Sequence, residues 1–369
     1  MKKAKKVLVF ILGLLLLTII PAYPVLAGSA LHDEILSIVE ENYHGVIPES
    51  VYKTSLPQEI IKELKDPYSE YLTEEEFQEL MDYLEQRIGG IGIYWVGDEE
   101  GVRVVEILPD SPAQEADLRA GDHIIKVGGR SLAGRSLEEA QEMLLGPAGT
   151  RVVLTVQRDK QILSKVIKRQ EVDFPSVRGQ VLNNNIGFIQ MFSFDTNTAE
   201  EMDNCIRAIM KQQEVKGWII DLRDNPGGFV LSALEVAGFF LPEIAVTTLE
   251  ENDKDTILEA WMQESQICEP VILLVDADTA SAAEILAAAL KDYDRALLVG
   301  ENTYGKGSAQ RFFTLSNGDV LKLTIAQFYS PLGHSIDGVG IAPDIEVGSA
   351  DALETAWLFL TRAGRDSSL

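Results

Sequence analysis

Residues 271–291 read VILLVDADTASAAEILAAALK. Val271 to Val275 is an unbroken apolar run of strand length, the pattern of a strand covered on both faces. Asp276 to Ala280 is a short polar turn, and an alanine-rich stretch from Ala282 to Lys291 predicts a helix directly behind it. Strand, turn and helix in that order form the step from which parallel sheets are assembled.

The same step recurs on either side. Strands are predicted at Ile186–Met191, Gly217–Asp221, Ala296–Val299 and Val320–Tyr329, and helices at 198–212 and near 231–240. This alternation specifies an α/β layered domain with a largely parallel sheet. No solenoid-type repeat is present.

Upstream the texture differs. From Ile88, Gly89-Gly90-Ile91-Gly92-Ile93 opens a strand, and Val102 and Val104 alternate around Arg103 in a second. A short capped helix, a Gly121-Asp122 turn, a further strand, a helix at 136–145 and a last strand at Arg151–Gln157 complete a compact unit. Residues 30–86 predict a small helical arm, with helices at Leu31–Tyr43 and Thr73–Arg87 and a proline-interrupted segment between them. With 369 residues the chain has room for two or three domains.

At 46% hydrophobic and 24% charged residues the composition is that of folded globular domains and excludes a mostly disordered chain. The formal net charge is −26, and the first 27 residues hold four lysines and no acid, so the remainder is more acidic still. Such a surface repels phosphate backbones and anionic lipid, which argues against nucleic-acid binding. The N-terminus runs from basic (Lys2, Lys3, Lys5, Lys6) to apolar (Val7 to Ile20) to small-residue (Val25-Leu26-Ala27), the order of a secretory signal. Its apolar core is short against the roughly 20 residues of a spanning helix. Cleavage after Ala27 and retention as an anchor both stay open, and either leads to an extracytoplasmic location. Cys205 and Cys268 lack metal-ligand spacing, and neither is a candidate nucleophile.

Ser281 falls where the helix begins, where unsatisfied N–H groups and the helix dipole favour negative charge on a reacting oxygen. Capping is the commoner duty of a serine there. Of the four histidines, His334 is the one that stays open as a base; His32, His44 and His123 lie in the arm and the second unit. Lys306 sits in a glycine-flanked segment, Gly300 to Gln310, between two apolar strands. A lysine acts as a base only when burial brings its pKa well below about 10.4; most lysines are simply solvated. Asp221 to Gly228, DLRDNPGG, ends another buried-type strand in a tight turn whose N–H groups suit an oxyanion. Asp221 and Asp224 alone are a weak metal signal.

Seven segments in register resemble the carboxyl-terminal processing peptidases, the tail-specific serine proteases of the S41 group. They are DPYSEYL (66–72), the glycine loop (90–92), SPAQEADLRAGD (111–122), DLRDNPGG (221–228), TASAAEILAAALKD (279–292), GENTYGKGSAQ (300–310) and GVGIAPDIEV (338–347). The resemblance implies Ser281 as nucleophile, Lys306 as general base and Gln310 as the residue orienting the lysine. It implies an oxyanion hole from the N–H groups of Gly227 or Gly228 and of Ala282. Ala283 stands where the family usually has serine, a position other than the nucleophile. The fold it implies is a crotonase/ClpP-like layered α/β catalytic domain at 161–349, with an inserted PDZ domain at 87–160 and an N-terminal helical arm at 28–86. Residues 350–369 are expected to hold one short helix and a polar tail, with no further binding extension.

By the same resemblance the PDZ domain holds a substrate's terminal carboxylate on the loop of Gly90, Ile91, Gly92 and Ile93 and adds the substrate strand to its edge. An ordinary glycine-rich turn is the competing explanation for that loop. The implied partners are proteins with accessible C-termini and, through the arm, a second copy of the chain. No metal or cofactor is implied. Two rivals from other classes are a non-catalytic PDZ adaptor, countered by Ser281, Lys306 and Gln310 together, and a crotonase-like acyl-CoA enzyme, countered by the secretion signal and the PDZ-like unit.

Overall fold

The computed structural model describes residues 29–366 apart from 55, 85–88, 99, 173 and 252–253. The expectations of a leader or anchor at 1–27 and of an opening at Ile88 fall outside those residues. Among the described residues no helix is long and apolar enough to cross a membrane. The chain forms two compact units, one from residues 79–175 and one from the segments on either side of it.

The arm opens with α1 (Ser29–Asn42), which buries Ile35 and Val39 one turn apart. Helix α2 (Pro57–Glu63) starts on Pro57, whose fixed φ and missing N–H suit a first helical position. Its seven residues are too few to display a period, so sequence alone did not reveal it. Strand β1 (Glu70–Leu72) and helix α3 (Glu74–Leu84) follow. Glu76 caps α3 by accepting from the Thr73 N–H at 2.8 Å.

The second unit comprises β2 (Gly89–Gly90), β3 (Ile93–Asp98), β4 (Gly101–Ile107), α4 (Pro112–Glu115), β5 (His123–Val127), β6 (Arg130–Ser131), α5 (Leu137–Leu144), β7 (Arg151–Arg158), β8 (Gln161–Lys168) and β9 (Gln170–Glu171). Its main sheet runs β3-β4-β5-β7-β8, all antiparallel, with β3 at one edge. Val104, Ile124, Leu154 and Val156 are fully buried at its centre. The unit continues beyond the expected boundary at residue 160, because β8 pairs with β7 along its whole length. Five residues of β8 are exposed and one is buried, so it has no apolar run to announce it.

The remaining elements are β10 (Val177–Leu182), β11 (Ile186–Met191), α6 (Thr198–Gln212), β12 (Gly217–Asp221), α7 (Val230–Ala237), β13 (Ala245–Glu251), β14 (Lys254–Glu259), β15 (Val271–Val275), α8 (Ala282–Asp292), β16 (Ala296–Gly300), β17 (Ser308–Thr314), β18 (Val320–Tyr329), β19 (Ile345–Glu346) and α9 (Ser349–Asp366). A six-stranded sheet runs β10-β11-β12-β15-β16-β19, parallel throughout except for β10. Trp218, Ile220, Leu273 and Val275 face a core shared with α6, α7 and α8. Their neighbours Ile219, Ile272 and Leu274 face a second core with Ala352, Ala356 and Leu360 of α9. Strands covered on both faces need apolar side chains at every position, which is why VILLV is unbroken. The helix expected after residue 350 is thus α9, a structural layer of 18 residues rather than a short helix.

Strand β18, expected in the parallel set, instead centres a second, antiparallel sheet, β1-β18-β13-β14, with β17 also on β18. The arm covers this sheet: Ile35, Val39, Ile60 and Ile61 pack with Leu321 and Leu323. Both cysteines are free.

Leu273 is fully buried mid-strand in the parallel sheet. Leu273→Ala is expected to lower the unfolding free energy by about 2–5 kcal/mol, measured by urea titration.

Candidate active site

The turn between β15 and α8 carries Ser281 at φ 57° and ψ −118°, a conformation that side-chain-bearing residues seldom adopt. Such strain costs of the order of 1–3 kcal/mol and persists only where neighbours over-determine it. Here they do. Thr279 Oγ1 donates to the Leu222 carbonyl at 2.9 Å and accepts from the Asp276 N–H, and the Ala280 N–H donates to the Asn225 carbonyl at 2.9 Å. Asp276 accepts in turn from the Asp224 N–H. The serine turn and the DLRDNPGG loop are thereby one cross-tied body. Gly227 permits the approach: a Cβ there would stand 2.8 Å from Ser281 Cβ and 2.7 Å from the Ala280 carbonyl oxygen.

Behind the serine, Glu284 is fully buried. Its Oε2 accepts from the Ser281 N–H and from the Lys306 N–H, each at 2.8 Å. Its Oε1 accepts from Thr303 Oγ1 at 2.5 Å and from the Gly305 N–H at 2.7 Å. Because one oxygen serves both, the backbone nitrogens of Ser281 and Lys306 lie within twice 2.8 Å of each other. Two loops separated by 25 residues of chain meet on a single carboxylate. Thr303 extends the tie by accepting from the Ile341 N–H at 2.7 Å, which brings in the GVGIAPDIEV segment.

Lys306 is half-buried, and burial above all, then the charge of Lys322, draws its ammonium below the usual lysine range; Asp66, Glu284 and Glu70 pull weakly the other way. Among the described residues its amine forms no ion pair; it lies 5.0 Å from the centre of the Tyr68 ring. A pocket of about 320 Å³ opens here, lined by Tyr43, His44, Asp66, Tyr68, Gly305 and Gln327 among others.

Gln310 sits on β17, and its amide donates to Ser308 Oγ at 3.0 Å and to Thr324 Oγ1 at 3.2 Å rather than to the lysine. Of the two candidate oxyanion donors in the Pro-Gly-Gly turn, Gly227 gives its N–H to Asn225 Oδ1 at 2.9 Å. The N–H groups of Gly228 and Ala282 have no hydrogen-bond partner among the described residues. Asp221 is bound by Arg223, with bonds of 2.8 and 2.6 Å. His334 lies in the turn after β18, where its backbone pairs with Ser330.

In the second unit, Gly90 closes β2 and Ile93 opens edge strand β3, with Ile91 and Gly92 between them. The carbonyls of Ile91 and Gly92 accept from Ala113 and Leu108, while their N–H groups donate to no described residue. Gly92 has φ 77°, and a Cβ on it would meet Ser111 Cβ at 2.3 Å.

Sequence reasoning assigned no role to Glu284, Thr303 or Tyr68. Glu284 carried one usable signal: an acid three residues behind a helix-start serine, the spacing of a capping box.

The layered α/β domain thus carries a strained serine at a strand-to-helix turn, tied to the loop of a half-buried lysine. Residues 185–347 match the model of peptidase family S41, and residues 103–158 that of a PDZ domain. The carboxy-terminal-processing protease of Bartonella bacilliformis is 33% identical over 290 residues, which cover 76% of this chain and 66% of that protein. The carboxy-terminal processing protease CtpA of Bacillus subtilis is 33% identical over 302 residues, 81% of this chain and 64% of that one. This chain thus spans just under two thirds of the length of these relatives. The solved photosystem II D1 C-terminal processing protease shares the fold, with a TM-score of 0.58 at 24% identity over 88% of this chain and 94% of that one. The chain belongs to peptidase family S41 and carries a PDZ domain.

Glu284→Gln leaves one acceptor oxygen where two each took a pair of donors. The variant is expected to lose about 2–6 kcal/mol of stability, since each of the two stranded buried donors costs about 1–3 kcal/mol, and to lose peptidase activity with it. Thermal melting and a casein-cleavage assay on the same preparation check both.

Proposed function

We propose that the chain is an extracytoplasmic serine endopeptidase that captures protein C-termini on its PDZ domain and cleaves by a serine–lysine mechanism. The observation that carries the reading is the shared Glu284 oxygen, which holds the strained Ser281 turn against the loop of a lysine whose burial disfavours its charge.

Neutral Lys306 takes the Ser281 hydroxyl proton as Oγ attacks the peptide carbonyl. The carbonyl π pair moves onto oxygen, and the N–H groups of Gly228 and Ala282 stabilise that oxyanion. Gly228 is preferred over Gly227, whose N–H is already engaged. Collapse of the tetrahedral species expels the amine, which takes the proton from Lys306, and leaves an ester on Ser281. Water, deprotonated by the same lysine, hydrolyses the ester and restores the serine. Gln310 acts at one remove, fixing Thr324 and Ser308 beside the lysine loop. No residue in this scheme needs a metal or cofactor.

Capture of the C-terminus uses the unengaged N–H groups of Ile91 and Gly92 for the carboxylate and the open edge of β3 for the substrate strand. The arm is assigned to pairing with a second copy, and the basic-then-apolar N-terminus to export.

Purified protein is expected to degrade a loosely folded substrate with a free C-terminus and to slow markedly when that C-terminus is amidated. Ser281→Ala should abolish cleavage, and Lys306→Ala should lower kcat by about 10²–10⁴-fold, the usual contribution of a general base. Peptide binding without cleavage by the unaltered protein would replace the reading with that of a PDZ adaptor.

The pH dependence follows from the direction of the lysine shift. The active form is the neutral amine, so kcat/KM should rise with pH through the lowered pKa of Lys306 and fall as acid protonates it. The rising limb should therefore lie below the ordinary lysine range in a pH–rate profile, and a limb at or above about 10.4 would remove Lys306 as the base.

A further inference from the structure

We propose that Tyr68 is a positioning residue that covers the Lys306 amine, so that the N-terminal arm supplies a part of the catalytic site that the α/β layers do not. The proposal rests on the reading of Lys306 as the base and extends it to a residue whose motif, DPYSEYL, no step above has used.

The Tyr68 ring centre stands 5.0 Å from Lys306 Nζ. Its position is set by a relay of hydrogen bonds. Asp66 Oδ1 accepts from the Tyr68 N–H at 3.0 Å, and Asp66 Oδ2 accepts from Ser69 Oγ at 2.5 Å. Ser69 Oγ accepts from the Thr324 N–H at 3.1 Å, and Thr324 Oγ1 accepts from the Gln310 amide at 3.2 Å. Pro67 fixes φ inside this clip, and directly after it β1 pairs with β18, Glu70 opposite Lys322. The backbone on both sides of Tyr68 is anchored in this way, which fixes the point from which the ring reaches the amine.

What it holds is a site with its charges already committed. Four charged groups face Lys306: Asp66 and Glu70 from the arm, Lys322 from β18 and Glu284 from α8. Asp66 is occupied by Tyr68 and Ser69, Glu70 by Lys322 at 3.0 Å, and Glu284 by its four donors. Among the described residues none pairs with the amine. An aromatic face excludes water from the amine while attracting its cationic form far less than a carboxylate would. That is the surrounding a general base needs if it is to lose its proton and regain it each turnover. Tyr68 itself stays a neutral phenol, because burial first and then the neighbouring Tyr304 raise it.

The test measures the lysine directly. In a Ser281→Ala background, acetic anhydride labelling of Lys306 against pH, read by peptide mass spectrometry, gives its midpoint with Tyr68, Phe or Ala at position 68. Tyr68→Ala admits water and is expected to raise the midpoint by about one pH unit, which is about tenfold less neutral amine on the acid side. Tyr68→Phe keeps the ring and should stay within about 0.3 of a unit. With Ser281 restored, the acid limb of kcat/KM should move by the same amounts.

A Tyr68→Ala midpoint equal to that of the unaltered protein, or a Phe shift as large as the Ala shift, would overturn the proposal. Should Tyr68→Ala melt early, Tyr68→Leu replaces it: an apolar cover without a π face must leave the midpoint at or below the original, and a rise would count against the proposal. Lys306→Ala run alongside separates the two readings. Activity without Lys306 defeats the base assignment, whereas an inactive Lys306→Ala with an unmoved Tyr68→Ala limb defeats only the cover.

Discussion

Everything in the catalytic unit that has chemical promise converges on one buried carboxylate. Removing a carboxylate from water costs several kcal/mol, and it is tolerated when donors replace the lost hydration. Glu284 has four, drawn from Ser281, Thr303, Gly305 and Lys306. It also sits in the first turn of α8, where the unpaired N–H groups favour negative charge. The need to satisfy that charge is what brings the lysine loop onto the serine turn. An apolar residue at 284 would fill the space without saying where either loop should lie.

The strain at Ser281 belongs to the same arrangement. Its backbone is held out of the common regions by ties running from Asp276 and Thr279 to the loop after β12, and by the missing side chain at Gly227. These ties are short because β12 and β15 are adjacent parallel strands, so the turns that follow them emerge side by side at one edge of the sheet. In such folds, function gathers at the carboxyl ends of the strands. Rigid, doubly covered strands carry the strained turn, and the reacting groups sit on loops that the strands aim.

The arm adds a layer that contributes more than packing. Its helices cover the antiparallel sheet, and between them the Asp66 to Ser69 clip enters the hydrogen-bond relay that reaches Gln310. Gln310 therefore acts within a network anchored partly by the arm, and its amide is committed to Ser308 and Thr324. The second unit is a self-contained antiparallel fold whose glycine loop leaves two N–H groups unengaged next to an open sheet edge. The glycine loop and the serine–lysine pair thus have separate structural bases within one chain.

Local pattern made much of this legible. The strands at 186–191, 217–221 and 320–329 and the helix at 198–212 stand where their periodicity put them, because each is long and strongly patterned. Ser281, Lys306 and the Pro-Gly-Gly turn could be singled out because each interrupts an apolar run with residues that do not belong in a core. Strands β8 and β14 and helix α2 were not legible, being exposed or too short to show a period. Nor could the chain order reveal that β18 leaves the parallel set for another sheet, since a mostly apolar strand reads alike in either.

Sequence by itself determined which segments are strand or helix, which turns carry reactive side chains, and that the surface is strongly acidic, since these depend on residues near one another along the chain. Only the tertiary structure decided that Glu284 joins two distant loops, that Gly227 has already spent its N–H, and that an arm tyrosine lies over the lysine. Burial, shared acceptors and ring contacts are relations between residues far apart in sequence, and they acquire values only when the layers have packed.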